Sequence, residues 1–143
     1  MGAVLDEVLA VAAREGCAAT PLTAEQLAEL ESRLREAFGT TRPGFLSDSL
    51  RDHVSVHDDR GWERAGDLIA EHVGRAPVIL IAERDDPYPT AVRLGEGRLL
   101  GAILAGSTGY QFAVTDLAER FVLAHNDSDM LIAAGAATAW VSS

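Results

Sequence analysis

Five consecutive positions, His125-Asn126-Asp127-Ser128-Asp129, gather an imidazole, an amide, a hydroxyl and two carboxylates. They lie between apolar stretches, "FVLA" before and "LIAAGAA" after. Such residues can hold calcium, run acid–base chemistry or turn the chain. A calcium loop of the EF-hand kind needs oxygen ligands at alternate positions and a glycine at the sixth. Counted from Asp127, Asp129 fits but Leu131 falls on the next ligand position; counted from Asn126, Met130 falls there. Neither register works. Asn, Asp and Ser bond their own backbone and favour hairpin loops, so the stretch is expected to be a carboxylate-bearing hairpin tip. Its functional alternative is a ligand or catalytic site of Tyr110, His125 and Asn126, with Asp127 or Asp129 beside the imidazole.

Two other clusters could do chemistry. His53 and His57 are four apart, followed by Asp58 and Asp59. On a helix they could share a metal, but Val54, Ser55 and Val56 disfavour a helix. On a strand the two rings would stand about 13 Å apart. The glutamate of the HExxH pattern is absent, because Val54 follows His53. No metal site is expected, and Asp58 or Asp59 is read as the cap of the helix that contains Trp62. "ERDDPYP" places Glu83, Asp85 and Asp86 after an apolar run. Paired carboxylates can act as acid and base, but a solvated turn, or an acidic patch for a basic partner, is the expectation here. "GEGRLLG" misses the dinucleotide-binding glycine spacing. Ser107 in "GSTG" has no recognisable catalytic partner pattern. Cys17, the only cysteine, is expected to be a small core residue.

The balance of the chain narrows its partners. Of 143 residues, 22 are acidic and 12 basic, for a net charge of -10. Nucleic acid and anionic membrane both need cationic contacts, so neither is an expected partner. A basic protein is, and the charge would speed encounter with it. Every basic residue is Arg, which excludes any mechanism needing a lysine and reads as the codon bias of a GC-rich genome. The apolar start carries Asp6 and Glu7 and no basic region, so it is not read as a signal peptide. The longest apolar stretch, residues 130–141, is too short to span a bilayer. A cytoplasmic location is expected, and no cofactor is.

Periodicity places these residues. Val4, Leu5, Val8, Leu9, Val11 and Ala12 predict a helix over residues 3–15, ended by Gly16. "PLTAEQLAELESRLREAFG" predicts a second helix. Thr23 and Gln26 form a capping box, Leu22 and Leu27 a hydrophobic staple, and Leu27, Leu30, Leu34 and Phe38 one apolar stripe. A polar connection follows, with one short helix around Ser47–His53. Trp62, Ala65, Ile69 and Val73 predict a third long helix, closed by Gly74. The period then changes. "PVILIAE" reads as a strand covered on both faces, "DDPYP" as a turn and "TAVRL" as a weakly alternating strand. A short helix is possible within "GEGRLLGAILAGSTG". "YQFAVTD" alternates, with Tyr110, Phe112 and Val114 on one side and Gln111, Ala113 and Thr115 on the other. "RFVLAHN" and "MLIAAG" add two strands. Helices first and strands afterwards predict one α+β domain over residues 1–143, its N-terminal helices packed on a mostly antiparallel sheet of about four to six strands.

The helix carrying Thr23, Leu27, Leu30 and Glu31, a Trp-bearing segment and a strand-rich C-terminal half together resemble the SUKH superfamily of small bacterial α+β domains. "YQFAVTDLAERFVLAHNDSDMLIAAG" also resembles bacterial domains in which a Y-x-(F/Y)-x-(V/I)-x-D strand precedes an N-(H/D)-x-D turn. The Leu-Pro and Tyr usual after the first SUKH helix are absent from "TTRPGFL". The resemblance covers about half the chain and implies a non-enzymatic immunity protein that neutralises a cognate toxin. Its contact residues for a basic toxin domain are read as Asp58, Asp59, Glu83, Asp85, Asp86, Asp127 and Asp129. Two other classes stand beside it: a small enzyme or ligand-binding domain using His125, and a structural subunit. The latter could be a homodimer, with the apolar tail "LIAAGAATAWV" pairing as an edge strand.

Overall fold

Val78–Ala82 is the most apolar strand of the chain, and all five of its residues are buried. A strand with no polar face has to lie inside a sheet covered on both sides. The computed structural model, which describes residues 2–39, 45–85, 88–107 and 110–142, puts it there. In chain order the elements are α1 (Ala3–Arg14), β1 (Ala19–Pro21), α2 (Ala24–Phe38), β2 (Val54–His57), α3 (Gly61–His72) and β3 (Val78–Ala82). They continue with β4 (Thr90–Leu94), α4 (Leu100–Gly106), β5 (Phe112–Asp116), β6 (Phe121–His125), β7 (Met130–Gly135) and α5 (Thr138–Ser142). The seven strands form one sheet in the order β1-β4-β3-β5-β6-β7-β2. Every pairing is antiparallel. The α+β class and the antiparallel sheet are as predicted.

Seven strands are one more than the upper expectation of six, and the two that the sequence reading did not name are the short edges. β1 has three residues and ends in Pro21, and β2 alternates half-buried valines with exposed Ser55 and His57. The helix expected around Ser47–His53 is a single 3-10 turn, Leu46–Asp48. The predicted pairing of the C-terminal tail as an edge strand is corrected. β7 lies between β6 and β2, so both its edges are taken, and the tail turns into α5, whose Val141 is buried in the core.

The sheet has a core on each face. On one, α1, α3, α4 and α5 cover Leu80, Val92, Leu94, Phe112, Val114, Phe121, Leu123 and Leu131. On the other, Leu27, Leu30 and Leu34 of α2 lie on Ile79, Ile81, Ala113, Val122 and Ile132. Leu34 is fully buried, which stabilises the fold by roughly 2 kcal/mol relative to leaving it exposed. The strands therefore alternate between two apolar faces, not between core and water. β1 and β2 are opposite edges of the sheet, so α2 must carry the chain across it. Fifteen helical residues reach about 22 Å, most of the width of seven strands at about 4.8 Å spacing. The capping box that starts α2 is fully formed: Gln26 N donates to Thr23 Oγ1 at 3.1 Å and Thr23 N to Gln26 Oε1 at 2.9 Å. α3 returns the chain over the other face and packs on α4 at Gly66 and Gly101, where a Cβ on Gly66 would collide with the Gly101 backbone.

Candidate functional site

The crossing of α3 and the hairpin between β6 and β7 decide where the chemistry-bearing residues meet. His125 ends β6 and pairs with Phe112, the first residue of β5. Asp58 follows β2, and its N–H donates to Asp129 O at 2.8 Å, tying the β2 end to the hairpin. The start of α3 and the end of α4 reach the same corner. Between them lies a cleft of about 540 Å³. Trp62, Leu104 and Phe112 give it apolar walls, Ser107, Tyr110, Gln111 and His125 add polar groups, and Asp59, Asn126, Asp127 and Asp129 complete the lining. That size and mixture suit a bound group of small-molecule size.

His125 is 8 % exposed. Its Nε2 lies 3.0 Å from Asp58 O, and a carbonyl can only accept, so Nε2 carries the proton. The imidazole is thereby fixed in orientation, and in its neutral form Nδ1 is the acceptor. Asp129 Oδ1 is 4.0 Å from Nε2, a charge neighbour and not a hydrogen-bond partner. The ring fits only because residue 61 is glycine: a Cβ there would stand 2.6 Å from Nε2. On the opposite wall, Ser107 Oγ donates to Ile103 O at 2.8 Å, and Tyr110 OH is 2.9 Å from the same Oγ. Ser107 has one hydroxyl proton, committed to the carbonyl, so the Tyr110 hydroxyl donates to Ser107. Burial pushes the Tyr110 phenol up to about 12, so it stays protonated across the physiological range.

The hairpin forms as its residue types predicted. Asn126 Oδ1 accepts from Ser128 N at 3.0 Å and Met130 N at 3.1 Å, and its Nδ2 reaches Asp48 Oδ1 at 3.4 Å. The Asn126 amide thus holds the turn. Asp129 takes a left-handed backbone, φ 56°, which Asp tolerates better than most residues. Asp127 is exposed and Asp129 half-buried. The expected capping of α3 by Asp58 or Asp59 is corrected: the N-cap residue is Arg60, with no side-chain cap bond, and Asp58 Oδ1 instead accepts from Arg60 N at 2.9 Å in the turn before the helix.

The other acidic candidates lie elsewhere. Asp85 is 3 % exposed and receives Val4 N and Leu5 N, both at 3.0 Å, at the start of α1, with the Thr90 hydroxyl at 2.7 Å. Glu83 is 6 % exposed. Its Oε2 accepts from Ser47 N at 3.3 Å while Oε1 is buried without a partner among the described residues. Burial raises the Glu83 pKa, and Asp48 and Glu31 raise it further against the lowering effect of the Ser47 hydrogen bonds. Neither carboxylate reaches a surface where a partner could dock. Asp86 and part of the "DDPYP" turn lie outside the described residues.

His53 and His57 do not form a pair. His53 Nδ1 is 2.9 Å from Leu50 O, and His57 is exposed on the edge strand. Among the described residues no group of three or more His, Cys, Asp and Glu side chains is placed to hold a metal, and no helix is long and apolar enough to cross a membrane. Cys17 is buried in the core.

Of the sequence candidates the cleft collects Asp59, Tyr110, His125, Asn126, Asp127 and Asp129. Sequence reading passed over Trp62, Ser107 and Gln111 as members of the site. Trp62 read as a core face residue. Ser107 gave one usable signal, its spacing of three from Tyr110. Comparison of the chain with protein-family models, with curated proteins and with solved structures gives no match.

Proposed function

We propose that this is a non-enzymatic binding protein of the immunity type, which takes a basic protein partner, a toxin domain, at the cleft between α3, α4 and the β6–β7 hairpin. The observation that carries this reading is that Asp59, Asp127 and Asp129 stand around one concave surface of a chain with net charge -10. Carboxylates on a concave rim focus the field, attract a cationic surface and reject an anionic one. The resemblance to SUKH immunity domains points the same way. Co-expression with the toxin encoded beside this gene is the test. Protection of the cell and a complex on gel filtration are expected, and both should be lost when Asp59 and Asp127 are changed to Arg. A protein that neither protects nor co-elutes would end the proposal.

A second reading has its own observation. Neutral His125 is held as a single tautomer with Nδ1 as acceptor, and Tyr110 lines the same cleft. That is the arrangement a ligand-binding or acid–base site needs. Turnover of a small substrate that is lost in His125→Asn but kept in Asp59→Asn would favour it over the partner reading.

A further inference from the structure

The hydrogen bonds of the cleft say more about its occupant than the acidic rim does. Each fixed polar group on its walls can be assigned as donor or acceptor. His125 donates its Nε2–H to Asp58 O, so in the neutral ring Nδ1 is an acceptor on a residue that lines the cleft. Ser107 uses its proton on Ile103 O, and Tyr110 uses its own on Ser107, so the phenol offers only oxygen lone pairs. Gln111 Nε2 donates to Ser47 Oγ at 2.8 Å, away on the α2 side of the sheet. The Asn126 amide is committed to the hairpin and to Asp48. Among the described residues no Arg lines the cleft. The walls that these residues form therefore offer more acceptors than donors, with the Trp62 indole N–H as a donor beside them. His125, nine-tenths buried at the side chain, has no partner for Nδ1 among the described residues.

Such a lining is complementary to a group that carries many N–H donors and a positive charge. Resting on the partner reading above, we infer that the cleft receives an arginine side chain, the anchor of the basic partner. Arginine fits better than lysine on two counts. Its acceptors would be spread over several elements, with Asp59 before α3, Asp127 and Asp129 on the hairpin, Tyr110 just before β5 and His125 at the end of β6. A planar fork of five N–H donors can meet a spread of acceptors that a compact ammonium cannot. The walls are also aromatic, and guanidinium stacks on aromatic faces. Trp62 already shows this affinity within the chain, since Arg60 Cζ lies 5.9 Å from its ring centroid. Arg60 is itself paired with Glu63 at 2.7 Å, so it leaves the rim carboxylates to the incoming group.

The test uses the whole chain and three small probes: N-acetyl-argininamide, its lysine counterpart, and its neutral isostere, N-acetyl-citrullinamide. Titration is followed by amide and indole NMR shifts. Argininamide is expected to move the signals of Trp62, Ser107, Tyr110 and His125. The lysine probe should bind at least threefold more weakly, and citrullinamide should give no saturable shift. Asp59→Asn with Asp127→Asn should weaken argininamide at least fivefold, and Tyr110→Phe should leave the folded spectrum intact as a second variant. Equal binding of citrullinamide, or no shift at these residues in the wild-type chain, overturns the inference. The two ideas fail separately. A toxin complex that is sensitive to the Asp59 and Asp127 charge reversals, but that argininamide neither perturbs nor competes with, removes the arginine anchor and leaves the partner reading. Argininamide binding with no complex removes the toxin partner and keeps the guanidinium site.

Discussion

The segment after β3 and the hairpin between β6 and β7 begin from the same ingredients and end in opposite environments. Each follows a fully buried strand, and each is rich in carboxylates. After β3, Glu83 and Asp85 are covered, one by the 3-10 turn at Ser47 and the other by the first turn of α1. On the hairpin, Asp127 and Asp129 line an open cleft. The difference comes from what lands on each. The α1 N-terminus presents N–H groups with no intrahelical partner, and a carboxylate there accepts them and complements the helix dipole. On the hairpin, Asn126 Oδ1 accepts from Ser128 N and Met130 N, and Asp58 N donates to the Asp129 carbonyl, so main chain and amide hold the turn while the Asp127 and Asp129 carboxylates line the cleft. An acidic turn can thus be buried as a helix cap or stand open on a cleft, and its own composition does not say which.

The contrast can be broken at several points. The largest effect is expected for Asp85→Ala, which removes the acceptor of two α1 N–H groups and of the Thr90 hydroxyl. Urea unfolding should show a loss of roughly 3 kcal/mol, against less than about 0.5 kcal/mol for Asp127→Ala on the exposed hairpin. Equal losses would erase the distinction. Gly61→Ala comes next, because its methyl overlaps the His125 imidazole. A destabilisation of about 2 kcal/mol is expected, with displaced His125 ring signals in NMR. Unmoved ring signals would mean the pocket has slack that the contact denies.

Asp127→Arg should leave the melting temperature nearly unchanged and lower affinity for a basic partner at least tenfold, about 1.4 kcal/mol, as read by titration at low salt. The smallest effect sharpens the other side of the comparison. Glu83 has a raised pKa in the folded protein. Its protonated form favours folding, so its stabilising contribution is full below the unfolded pKa and is lost as pH rises through the folded value. Glu83→Gln should therefore gain about 1 kcal/mol over wild type at neutral pH and converge with it in acid. A gap that widens in acid would reverse the sign and refute the buried assignment.

Much of the architecture was legible because it depends on near neighbours. The capping box of α2 spans three residues, and both of its hydrogen bonds are present. The alternation of Tyr110, Phe112 and Val114 against Gln111, Ala113 and Thr115 is the alternation seen, with Phe112 and Val114 in one core and Ala113 in the other. The hairpin at residues 126–129 follows from Asn126 bonding its own backbone. Strand β2 was harder to read, since four residues with two exposed positions are too short to separate from a loop by pattern.

The site was legible only in its parts. Tyr110 and His125 could be named as candidates and Ser107 lies three residues from Tyr110, but Trp62 could not be joined to them, because only the placement of α3 on the sheet brings it to the same cleft. The sequence by itself determined the three long helices, five of the seven strands, the hairpin tip and the acidic charge, all set by local periodicity, turn chemistry and composition. Tertiary structure alone decided which carboxylates are open. Asp85 is closed by backbone groups 81 and 80 residues away, and His125 is fixed by a carbonyl 67 residues away. A hydrogen bond across that distance in sequence depends on how the helices cross the sheet, and no local pattern records it.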